Sequence, residues 1–137
     1  MAVSVAVTGC VDVAVATAST APRLVAKPAT GLTNHKMVKV TGSGFKPNDQ
    51  VFLVECLAAA TGQGQCDIST ATPVSITAKG VLPPTYFTVL TAKIANKTCG
   101  TKKSNLKNCV INAGNASGGD TATVPIAFKV PKRASKK

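Results

Sequence analysis

The residues with the widest chemical repertoire in this chain are five cysteines, and their spacing is uneven: Cys56 and Cys66 stand ten positions apart, Cys99 and Cys109 likewise, and Cys10 stands alone. The first pair brackets VECLAAATGQGQC, a loop built almost wholly of small residues. Clustered cysteines serve as metal ligands, reactive dithiols or cross-links. Metal sites favour a short C-x2-C step or cysteines combined with several histidines, and this sequence has a single histidine, His35. Disulfides fit better, and they imply an oxidising compartment. A bridge closing a loop of about ten residues stabilises by roughly 2–3 kcal/mol in the chain-entropy account, which matters in a small domain.

Acid–base chemistry has little to work with. Asp12 falls in an N-terminal segment, which leaves Asp49, Glu55, Asp67 and Asp120 as the carboxylates. Asp49 and Asp120 sit in turn sequences, where hydrogen bonding to the backbone accounts for them. Glu55 alternates onto a face with Val51 and Leu53, where a lysine partner is expected. His35, within Asn34-His35-Lys36, reads as a surface turn residue. No Ser-His-Asp order, phosphate-binding loop or metal spacing can be assembled, so a non-enzymatic protein without metal or cofactor is expected.

The formal charge is +11, and ten of the sixteen basic residues fall in Lys93–Lys107 and Lys129–Lys137. Lys93, Lys97, Lys102, Lys103, Lys107, Lys132, Arg133, Lys136 and Lys137 are therefore candidates for contact with an anionic partner: cell wall, lipid headgroups or nucleic acid. The alternative is a solvated loop and a loose tail. Stacking aromatics are lacking near these lysines, so DNA binding through them would be nonspecific and strongly salt-dependent.

The elements that must position these groups read as strands. Apolar content is 45% with only 4% aromatic, and Val and Thr abound while apolar residues at helical spacing are missing. Strands are predicted at Arg23–Lys27, Lys36–Gly42 and Gln50–Leu57, then Val74–Thr77, Thr85–Lys93, Asn108–Asn112 and Thr123–Val130. Val38 and Val40 share one face of the second. In the third, Phe52, Val54 and Cys56 face away from Val51, Leu53 and Glu55. In the last, Val124, Ile126, Phe128 and Val130 form an inward row. Seven strands punctuated in this way describe an all-β, Greek-key sandwich of immunoglobulin type. Residues 1–22 read as a leader or loose segment, 23–130 as the domain and 131–137 as a basic tail. The leader resembles part of a secretory signal, and Val7-Thr8-Gly9-Cys10 resembles a lipobox, although an ordinary strand or loose segment is the preferred reading. No stretch is long enough to cross a membrane as a helix.

Taken together, PATGLTN with VKVTGSGF, VECLAAATGQGQC, Cys99-Gly100 leading to NCVINAGNASGGD, and VPIAF resemble the neocarzinostatin family, secreted actinobacterial apoproteins that carry enediyne chromophores. The resemblance covers Pro28 to Phe128. It implies the pairings Cys56–Cys66 and Cys99–Cys109, and a seven-stranded immunoglobulin-like sandwich with a lateral hairpin beside a ligand cleft. That cleft would lie between the first bridge and a hairpin over Tyr86 to Asn96. A monomer holding a small apolar or polycyclic ligand, secreted or at the cell surface, follows from the resemblance, with Cys56, Ala58, Gly64, Cys66, Phe87, Asn112, Gly114 and Ser117 as ligand-binding residues. Ala58 stands where neocarzinostatin has an aromatic, and the second bridge loop is longer and carries three lysines. The competing expectation is a surface structural or adhesion module that binds anionic polymers through its basic loop and tail.

Overall fold

In the computed structural model of the chain, which describes residues 21–60, 62–91 and 93–131, the first three strands follow the alternation of the sequence. β1 (Arg23–Lys27) and β2 (Lys36–Ser43) pair antiparallel, burying Leu24, Ala26, Val38 and Val40 and turning Val25, Lys27, Met37 and Lys39 outward. β3 (Gln50–Leu57) buries Val51, Leu53 and Glu55 and leaves Phe52 and Val54 half-buried on its other face. The remaining strands are β4 (Cys66–Ser75), β5 (Leu82–Val89), β6 (Lys93–Ile94), β7 (Lys97–Thr98), β8 (Cys109–Gly114) and β9 (Ala122–Pro125). A three-stranded sheet, β1-β2-β5, packs on a four-stranded sheet, β4-β3-β8-β9, and β6 with β7 forms a separate hairpin. The core between the sheets is filled by aliphatic residues from both, together with Phe45, Phe87 and Phe128. The architecture is thus the expected seven-stranded sandwich with a lateral hairpin.

Several strand limits differ from the sequence reading, each for a local reason. β4 begins at Cys66, eight positions before Val74, because the polar run CDISTATP pairs with β3 across an irregular register. β5 begins at Leu82 and ends at Val89. Its Pro83 and Pro84 are tolerated because β5 is an edge strand and the ladder to β2 shifts register at that point, between Val40 and Gly42. Thr123–Val130 is not one strand. β9 ends at Pro125, and the chain then crosses to the segment after β1, where Ala127 N–H donates to Ala29 O (2.9 Å) and Leu32 N–H to Ala127 O (3.1 Å). Ile126 and Phe128 stay in the core, while Val130, expected inside, is 55% exposed. The hairpin is Lys93–Thr98 rather than Tyr86–Asn96, and Ile94 anchors it to the core.

Candidate functional site

The outward face of β3 supplies the floor of the main cleft. Phe52 lies opposite Gly114 of β8, Val54 opposite Asn112, and Cys56 opposite Cys66 of β4, where the first disulfide joins directly paired strands with a Cα separation of 3.9 Å. One wall arises from a large irregularity in β4. Leu53 pairs with Thr72 and Glu55 with Asp67, so residues 68–71 stand opposite Val54 alone. Thr70 turns inward to hold this bulge, accepting the Glu55 N–H (2.9 Å) and donating to Asp67 O (2.7 Å). Ser69 donates to Asp67 through its hydroxyl (2.6 Å) and its N–H (3.1 Å). Ile68 and Ala71 are thereby placed over the sheet face, and Ile68 remains 57% exposed.

The opposite wall is the turn after β8, organised by Asn115. Its Oδ1 accepts N–H groups from Ser117 (3.0 Å) and Gly119 (2.8 Å), and its Nδ2 donates to Asp49 (3.0 Å). Gly118 supplies a φ of +90° that a side chain would oppose. Asp120 accepts the Lys46 N–H with both oxygens (3.1 Å each), tying this wall to the turn before β3. The hydrogen bond from Asn115 is the chief cause holding the Asp49 carboxyl below its ordinary pKa, whereas desolvation, followed by smaller effects from neighbouring Asp49, raises that of Asp120. Both carboxylates are thus engaged in holding loops.

Between these walls lies an open groove of about 620 Å³, floored by Phe52, Val54, Asn112 and Gly114 and flanked by Cys66, Ile68 and Ala71 on one side and Ala116, Gly118 and Thr121 on the other. That volume falls in the range of small-molecule clefts, and the lining is mostly apolar. Thr123 Oγ1 donates to Asn112 Oδ1, and no acceptor among the described residues takes the Asn112 Nδ2 protons.

Of the residues singled out from sequence, the cleft brings together Cys66, Asn112 and Gly114. Cys56 is fully buried behind its bridge; Ala58, Gly64 and Ser117 are exposed near the rim without lining the groove. Phe87 is a correction: β5 points it into the core, where it is 1% exposed. The expected hairpin wall is another, since no described residue of Tyr86–Asn96 lines the cleft. Sequence reasoning missed Phe52, Val54, Ile68, Ala71 and Asn115. The signal for the first two was present, because alternation places them on the face of Cys56.

Glu55 departs from its expected lysine partnership. It is fully buried, with Oε1 accepting the Leu90 N–H (2.8 Å) and Oε2 without a partner among the described residues. Burial pushes its pKa up to about 7, opposed by the Leu90 bond and assisted by Asp67. Its carboxyl and the sulfurs of Cys99 and Cys109 lie within 4.8 Å of one another, but those sulfurs form the second disulfide and are not thiolate ligands. Lys93 and Lys97 project from the hairpin and Lys102, Lys103 and Lys107 from the second bridge loop, all exposed. Lys132, Arg133, Lys136 and Lys137, like Cys10 and the leader up to residue 20, lie outside the described residues.

The profile of the neocarzinostatin family matches residues 24–128. Among solved structures, macromomycin aligns with a TM-score of 0.60 at 27% identity, over 80% of this chain and 100% of its own. The solution conformation of apokedarcidin aligns at 0.55 and 23% identity over the same shares, a likeness of fold alone. No curated protein sequence matches the chain.

Proposed function

The chain belongs to the neocarzinostatin family, and from that premise we propose that it is a secreted, non-enzymatic carrier holding a small apolar or polycyclic molecule in the cleft outside the four-stranded sheet. Apoproteins of this family carry enediyne chromophores. The observation that carries the reading is the open groove of about 620 Å³ with an aromatic floor. Phe52 offers a ring for stacking where Ala58 has none, and Val54, Ile68 and Ala71 extend the apolar surface. The Nδ2 donors of Asn112 orient a polar substituent of the ligand. A non-enzymatic role is supported by the carboxylates: Asp49 and Asp120 hold loops, and Glu55 faces the core, away from the groove.

Native mass spectrometry of the protein purified from its own producing organism tests this. A noncovalent adduct that dissociates on denaturation, and that is depleted in the Phe52→Ala variant, is expected. A clean apo mass from cells in production phase overturns the proposal.

A further inference from the structure

The outward face of the three-stranded sheet carries a pattern that the stability of the fold does not explain. Lys27 of β1 is the direct cross-strand partner of Lys39 of β2, and Lys39 is the partner of Tyr86 of β5, so the three form one row across the sheet. Like charges directly opposite each other weaken a strand pair. No carboxylate among the described residues offsets them here: Asp49 and Asp120 bind the loops beside the cleft, Asp67 holds the β4 bulge and Glu55 is in the core. Tyr86 is 64% exposed in the same row, and Met37, one step diagonal to it, is 55% exposed. Arg23 extends the positive charge along β1.

We propose that this face binds single-stranded nucleic acid without sequence preference, with a base stacked on Tyr86 and neighbouring phosphates on Lys27 and Lys39. The charge of the row complements a phosphodiester backbone, and the chain as a whole, at +11, draws such a polymer in. Neighbouring strands stand about 4.8 Å apart, so the row from Lys27 to Tyr86 spans about 10 Å, within reach of one short backbone segment. An exposed ring on a sheet face needs an unstacked base to meet it, and a single strand supplies one where a duplex hides its base faces. This surface is on the opposite side of the sandwich from the cleft, so it stands or falls independently of ligand carriage.

The sequence contains one tyrosine and no tryptophan, so tyrosine emission reports Tyr86 alone. The full chain is titrated with fluorescently labelled oligo-dT at low salt, following anisotropy, and with unlabelled oligo-dT, following tyrosine emission corrected for DNA absorbance. Saturable binding with quenching is expected. Tyr86→Val should weaken binding about ten-fold, as for loss of one stacked base. Lys27→Gln and Lys39→Gln should each reduce the slope of log affinity against log salt by about 0.7. The Lys79→Gln variant should leave the quenching intact. These substituted side chains are solvent-exposed, and thermal melting confirms that each variant folds. Absence of binding overturns the proposal. Binding that leaves tyrosine emission unchanged, that ignores the three face substitutions, or that is as tight for duplex or for heparin with equal quenching overturns it as well.

Discussion

Cys56–Cys66 and Cys99–Cys109 each close a loop of the same sequence separation, ten, yet the two loops do different work. The first bridge joins paired strands at the edge of the cleft; Cys66 lines the groove, and the loop residues Ala58, Ala59, Gly62 and Gly64 are exposed. The second is part of the core: Cys99 and Cys109 are 0% and 1% exposed, and the bridge packs beside the Glu55 carboxyl. Its loop is fixed from within by Asn105, whose Oδ1 accepts the N–H groups of Thr101 (2.9 Å) and Lys102 (3.0 Å), and whose Nδ2 donates to the hydroxyls of Thr98 and Thr101 (2.8 Å each). Gly100, at a φ of +74°, lies against the Phe128 ring so closely that an added Cβ would stand 2.6 Å from it. One staple therefore frames a surface and the other completes a core. Equal loop length gives both the same entropic benefit, and burial separates them.

Interchangeable bridges would erase this difference. Cys99→Ala/Cys109→Ala should cost about 4–5 kcal/mol, loop entropy plus lost core packing, against about 2–3 kcal/mol for Cys56→Ala/Cys66→Ala. Urea denaturation measures both, and equal losses would show that core burial adds nothing to the second bridge.

Next in size is the pH dependence placed at the second bridge by Glu55. Its folded pKa is raised from 4.5 to about 7, so the unfolded chain releases this proton first. The associated stability is fully present below about pH 4.5, falls as pH rises towards 7 and levels off above it. A shift of this size corresponds to about 3 kcal/mol. Calorimetry between pH 4 and 8 should reveal the decline, and Glu55→Gln should flatten it. A slope unchanged in that variant assigns it to another group.

Asn105→Ala should destabilise by about 2 kcal/mol, since it strips the second loop of its internal hydrogen bonds. In the first loop, Gly64→Ala should move the unfolding midpoint by less than about 0.5 kcal/mol, because an added Cβ meets nothing within 4 Å. Between these two effects lies Phe52→Ala, expected to weaken a polycyclic ligand about ten-fold in a direct titration, equivalent to about 1.4 kcal/mol.

How much of this was legible in the sequence depended on whether a segment keeps one face buried throughout. β1, β2 and β3 do, and their inward residues could be read from alternation, with limits matched at β1 and β3 and one residue short at β2. β4 does not: its bulge turns Thr70 inward and sets Ile68 outward, so CDISTAT loses the period of two and reads as loop. β9 fails for another reason. Val124, Ile126 and Phe128 keep the alternation, but the chain changes partners after Pro125, and periodicity carries no record of which strand is the neighbour. The cleft was half-visible. Cys66, Asn112 and Gly114 came from resemblance and Phe52 and Val54 were on the right face, while Phe87 was assigned to the cleft because a hairpin was expected where β5 enters the core.

The sequence alone determined the strand-rich class, a cysteine spacing that favours disulfides over metal ligation and the scarcity of groups for catalysis, because these follow from residue types and local periodicity. Tertiary structure alone decided that one bridge faces a groove and the other the core, that Glu55 has no lysine among the described residues and holds its proton towards neutrality, and that Lys27, Lys39 and Tyr86 fall in one row. Burial and cross-strand register are relations between distant segments, and no local pattern of residues contains them.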